Sequence, residues 1–267
     1  KQDKEILLFP VLSSIFSLIL LLIFVFPAFL AILAGSGSVG ISLYFGLFAF
    51  YFATTFTAVF FNVGTVHIAK TRFEGGDATF MDGIKTGFKH LKQIIGWSLL
   101  SASVGLILNI LQGQARQKKG IVDLLGSILV SLIGFVWTIV SIFVVPAIVI
   151  KNRGVIESLK SSAITVKKTW GENLIKHYGL GLSQGLLSFL GIIFILTPGI
   201  LLLLTSIKVG IIVIGLFILY LVLLSIIFSS AKSIFDTALF IYADTGKVPS
   251  AYSEEELKHA FVEKGKK

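Results

Sequence analysis

Six apolar stretches, each long enough to cross a bilayer, take up most of this chain and leave room for little else. A spanning helix needs about 20 mostly apolar residues, and runs of that kind are read at 6–34, 41–69, 94–112, 121–150, 178–206 and 209–243. Hydrocarbon offers no partner to backbone N–H and C=O groups, so each run must close its hydrogen bonds within itself as a helix. The predicted fold class is therefore all-α, a polytopic transmembrane helical bundle of six spans. Residues 1–247 form the membrane domain and 248–267 a tail. Composition agrees: 55% apolar residues, 14% charged residues and a mean hydropathy of +0.94 demand a bilayer as solvent. The first run is too long for a signal-peptide core and reads as a retained helix. The chain opens on Lys1 and Gln2 without an initiator Met, and we expect residues ahead of them.

Basic residues in short loops are held on the cytoplasmic side. With the N-terminus inside, 19 of the 23 Lys and Arg residues fall on that side, and only Arg116, Lys118, Lys119 and Lys208 fall outside. The expected placement is a multi-pass protein of the cell membrane with both termini cytoplasmic. This asymmetry already accounts for the net charge of +9, so no nucleic-acid partner is expected.

The spans read as three hairpins. Phe61 to Ala69 closes the second helix, Phe143 to Ile150 the fourth and Phe235 to Ala243 the sixth; each is followed by a Gly-containing turn at Gly75-Gly76, Gly154 or Gly246. Charge-bearing helical segments come next. In one, Phe80, Ile84, Phe88, Leu91 and Ile95 recur at helical spacing with Lys85, Lys89 and Lys92 off that stripe. In the other, Ile156, Leu159, Ala163, Val166 and Trp170 make the stripe, with Lys160, Lys167 and Lys168 largely off it. Both are predicted to be cytoplasmic amphipathic helices lying in the interface. Their lysines are candidate ligands for lipid headgroups, with a preference for anionic lipid. The plainer reading is that they are elbows between hairpins. In the tail, Ser253 and Glu256 fit a capping box that starts a short helix.

Ionisable and strongly polar groups inside spans raise a functional hypothesis by default. Asn62, His67, Lys232 and Asp236 are the candidates. Lys232 and Asp236 stand one helical turn apart, and Asn62 occupies the position of the second helix that corresponds to Asp236 in the sixth. Snorkelling at the interface is the simpler reading of all four. Gly181 and Gly185 make a Gly-x-x-x-Gly of the helix-packing type. The same Gly181-Leu182-Ser183-Gln184-Gly185 matches a nucleophile elbow, but within an apolar helical run it lacks the strand-to-helix turn that the elbow needs. His67, His90, His177 and His259 are dispersed, and none has a second ligand at i+3 or i+4. No metal and no cofactor is therefore implied. Cysteine is absent.

The device of a helix pair ending in the run from Val144-Val145-Pro146-Ala147 through Lys151-Asn152-Arg153-Gly154 to Ser161-Ser162 resembles a broad group of prokaryotic six-helix membrane proteins. That group includes the membrane domain attached to some glycerophosphodiester phosphodiesterases. Over nearly its whole length the chain is similar to the DUF6159 family, which brings no functional residues with it. The expected role is non-catalytic: organising membrane lipid, or serving as an accessory subunit with a membrane-protein partner or as a homo-oligomer. The alternative is a small-solute or ion transporter using Asn62, His67 and Asp236.

Overall fold

The computed structural model describes residues 4–33, 41–115, 121–170 and 179–252. A short 3₁₀ turn, Lys4–Leu7, leads into α1 (Leu8–Leu33), α2 (Ile41–Phe73), α3 (Phe80–Lys89), α4 (Leu91–Ala115) and α5 (Ile121–Ser141). Then come α6 (Val144–Lys151), α7 (Val155–Trp170), α8 (Gly179–Gly191), α9 (Thr197–Leu203) and α10 (Ile207–Thr245). No strand occurs among the described residues. Six stretches are long and apolar enough to span: Glu5–Pro27, Tyr44–Phe73, Leu91–Gly113, Leu124–Lys151, Leu180–Leu203 and Ile207–Thr245. The chain is an integral membrane protein. Its expected tail helix from Ser253, the Arg116–Lys119 cluster and the side chain of Lys168 lie outside the described residues.

The centre of the bundle is α2, on which α1, α3, α4, α6 and α10 all pack. Spans adjacent in sequence contact one another, α1 on α2, α4 on α5 and α9 on α10. At 1.5 Å per residue α10 is about 58 Å long, roughly twice the hydrocarbon thickness, so it runs well past the bilayer. Its exposed large apolar side chains begin at Ile207 and end at Ile227, a rise of about 30 Å that matches the hydrocarbon.

Two spans are interrupted. In the fourth, Pro146 cannot donate to Ile142 and its ring crowds that carbonyl, so α5 ends at Ser141 and α6 starts at Val144. The groups exposed by the break are met from α7: Ser162 Oγ donates to the Val140 carbonyl and accepts from the Phe143 N–H at 3.1 Å. In the fifth, Pro198 forces a π turn over Ile192–Leu196, where the Thr197 hydroxyl donates to the Ile192 carbonyl at 2.9 Å.

α3 and α7 pack by only part of their apolar stripes, through Phe80, Ile84, Leu159 and Val166, and bury small and hydroxyl-bearing residues beside them. The buried residues of α3 are Gly83 and Gly87, and those of α7 include Ser158, Ser161, Ser162 and Thr165. Phe88, Ile156 and Ile164 are instead more than half exposed. In lipid, burial of apolar area gives helices little reason to associate, so small and hydroxyl-bearing residues take the contacts. Within α3 the Thr79 side chain and Asp82 form a reciprocal cap, and Glu5 accepts from the Phe80 N–H at 2.6 Å, tying the start of α1 to the start of α3.

Candidate functional site

Directly beyond Ile227 α10 turns polar, with Ser229, Lys232, Ser233 and Asp236. These four line a chamber of about 450 Å³. Its other walls are Ser13 of α1, Asn62 and Thr65 of α2, and Trp137, Thr138 and Ser141 of α5. Three of the four polar candidates are thus brought together. His67, half-buried on α2, is not among the lining residues.

Asn62 finds its partner in Ser233, whose hydroxyl donates to Asn62 Oδ1 across the α2–α10 contact at 2.5 Å. The Asn62 amide keeps its NH₂, which carries two donors. Three further hydroxyls give their protons to their own helices: Thr138 to the Gly134 carbonyl at 2.9 Å, Ser141 to Trp137 at 2.7 Å and Thr65 to Phe61 at 3.3 Å. What they offer the chamber is oxygen lone pairs. Trp137 is held flat by stacking on Trp97, with ring centroids 5.6 Å apart. Asp236 is buried, whereas Lys232 is exposed.

Two further hollows adjoin the chamber. A groove of about 400 Å³ between α1 and α10 shares Pro10, Ser13 and Ser229 with it. The groove continues along Ser17, Leu18 and Leu21 on one side and Ser225 and Ile226 on the other. Leu18 and Leu21 are exposed within the apolar belt, so the groove leads from the chamber into the depth of the bilayer. A smaller cavity of about 160 Å³ lies on the far side of Lys232 and Asp236, against Gly181 and Gln184 of α8.

The remaining candidates are spread over the surface. Lys85, Lys89 and Lys92 on α3 and α4, and Lys160 and Lys167 on α7, are exposed. Gly185 is exposed, and a Cβ there would meet nothing within 4 Å. The close helix approaches of the fifth span come lower down, at Gly191 against Tyr220 and Gly199 against Val213. Ser183 sits inside the continuous helix α8, which is the wrong setting for a nucleophile elbow. Sequence reasoning passed over Thr65, Trp137, Thr138, Ser141 and Ser233. Each is an ordinary residue in an apolar run, and only the crossing of four helices makes them neighbours.

A family model described as a family of unknown function (DUF6159) matches residues 41–250, from α2 through α10. No curated protein and no solved structure matches the chain.

Proposed function

The chain belongs to this family of unknown function (DUF6159), and from that premise we propose that it is a non-catalytic protein of the cell membrane that organises lipid at the basic, cytoplasmic face of the bilayer. The observation that supports this reading best is the level of the chamber. It opens where the apolar belt of α10 stops at Ile227, and a groove connects it to that belt. A polar hollow at that height is suited to a headgroup, with acyl chains remaining in the bilayer. The exposed lysines of α3, α4 and α7 add to this, because each contributes roughly 1 kcal/mol toward an anionic surface. Exposed Phe88, Ile156 and Ile164 beside them supply apolar contact.

Native mass spectrometry after gentle release from the membrane tests the proposal. Phospholipid at a fixed ratio to the chain is the expected result. A second polypeptide at fixed stoichiometry with no lipid would replace this reading by that of an accessory subunit.

The juxtaposition of Asn62, Lys232 and Asp236 in one chamber favours a second reading, a small-solute or ion transporter. Uptake into vesicles that Asp236→Asn abolishes would support it; unchanged uptake would remove its principal residue.

A further inference from the structure

We propose that the chamber holds the phosphate of a phospholipid at the level where it meets the α1–α10 groove, through Ser13 of α1, Asn62 of α2, Trp137 of α5, and Ser229 and Lys232 of α10. The inference rests on the lipid-organising reading and names the group that the site binds and the side chains that bind it.

Part of the lining spends its protons inside the protein, Ser233 on Asn62 Oδ1 and Thr65, Thr138 and Ser141 on their own helices. The donors that remain are the Lys232 ammonium, the Asn62 NH₂, the Trp137 indole N–H and the Ser13 and Ser229 hydroxyls, none of which has a hydrogen-bond partner among the described residues. Donors and acceptors also stand at different levels. The second, fourth and sixth spans cross in the same direction, and on each an acceptor follows a donor by about one turn: Thr65 after Asn62, Ser141 after Trp137 and Asp236 after Lys232. Those offsets are a rise of about 4.5–6 Å. Thr138, beside Trp137, is the exception. Asp236 has an interaction of its own, so the charge offered at the donor level is that of Lys232. A phosphate diester suits that level, because it carries a negative charge and several acceptor oxygens and has no proton to give. A cation would meet the Lys232 ammonium instead.

Ser13 and Ser229 line the groove as well as the chamber. The donor level therefore opens onto the passage along Ser17 and Ser225 toward exposed Leu18 and Leu21, at the height of acyl chains. A phosphate held there can keep its chains in the bilayer, whereas a free phosphate needs no such passage.

The full-length protein is titrated in detergent with phosphatidic acid and with diacylglycerol of the same acyl chains, which differ only in the phosphate, and bound lipid is read by native mass spectrometry. Phosphatidic acid is expected to bind more tightly by about tenfold, the scale of one charge-assisted hydrogen bond. Lys232→Gln, at an exposed position, should remove most of that preference, and Ser13→Ala with Ser229→Ala should reduce it severalfold. Lys208→Gln, which removes the same charge near the opposite end of α10, should leave it intact. Inorganic phosphate should compete only weakly. Equal binding of the two lipids by the unmodified protein, a preference that survives both the Lys232 and the paired serine substitutions, or an equal loss in Lys208→Gln overturns the proposal. Competition by inorganic phosphate at the lipid's own affinity overturns the bilayer as the source. Both lipids retained alike sinks this inference alone, while no lipid retained at all sinks the lipid-organising reading with it.

Discussion

Ser233 of α10 donates a hydrogen bond to Asn62 of α2, and this contact closes one wall of the polar chamber. It joins the hub helix to the longest one at the level where α10 leaves hydrocarbon. Hydrogen bonds between membrane helices contribute about 0.6 kcal/mol on average and up to about 1.7 kcal/mol. Asn62→Ala and Ser233→Ala should each destabilise by an amount in that range, and the double variant by no more than either alone. Unfolding in mixed micelles measures all three, and strictly additive losses would show that the two side chains act independently.

Phe9 is fully buried between two glycines, Gly64 of α2 and Gly83 of α3. A Cβ on Gly64 would lie 2.2 Å from the Phe9 ring, and one on Gly83 would lie 2.4 Å from it. Gly64→Ala or Gly83→Ala should therefore cost about 1–3 kcal/mol by overpacking. Adding Phe9→Leu to either should recover part of that loss. If the alanine variants match the unmodified protein in unfolding experiments, α3 does not dock through this notch.

Lys151 at the end of α6 pairs with Asp244 near the end of α10, and its ammonium also lies 5.5 Å from the centre of the Phe240 ring. Both charged side chains are less than a third exposed, and a double-mutant cycle with Lys151→Ala and Asp244→Ala should return a coupling of about 0.5–1 kcal/mol. That coupling should shrink as salt is raised. A coupling of zero at low salt would leave the pair without a role in holding the two helix ends together.

The Asp82 carboxyl lies below the usual carboxylate range because it accepts from the Thr79 backbone N–H and then from the Thr79 hydroxyl. A folded pKa below the unfolded value means that the cap stabilises α3 above about pH 4, and that this contribution fades as pH falls through the folded pKa. Protection of the first α3 amides against hydrogen exchange, corrected for intrinsic rates, should drop on acidification. In Asp82→Asn it should be lower from the outset and flat with pH. An acid response that persists in Asp82→Asn would assign the titration to another group.

The absence of cysteine makes single-site labelling direct. With a membrane-impermeant maleimide, Lys247→Cys in intact cells should be silent and Ser206→Cys should react, the two positions flanking opposite ends of α10. The reverse pattern would invert the topology and place the chamber on the outer face.

Much of the fold was legible beforehand. The six helices long and apolar enough to span were legible, because hydropathy is a local property and the bilayer's thickness fixes how much of it a helix needs. The break between α5 and α6 and its repair by Ser162 were not legible, because the repairing hydroxyl comes from another helix. Of the site, Asn62, Lys232 and Asp236 were visible as polar groups in apolar runs, while His67 did not join them.

Sequence by itself determined that this chain is a helical membrane protein with six candidate spans. Which side of each helix turns inward was decided only by the tertiary structure. In water an apolar stripe marks the buried face, but lipid is as apolar as the protein interior, so Phe88 and Ile156 lie outward while Gly83, Gly87 and Ser158 lie inward. The chamber depends on that same choice, because it exists only where α1, α2, α5 and α10 cross with their small and polar residues facing one another.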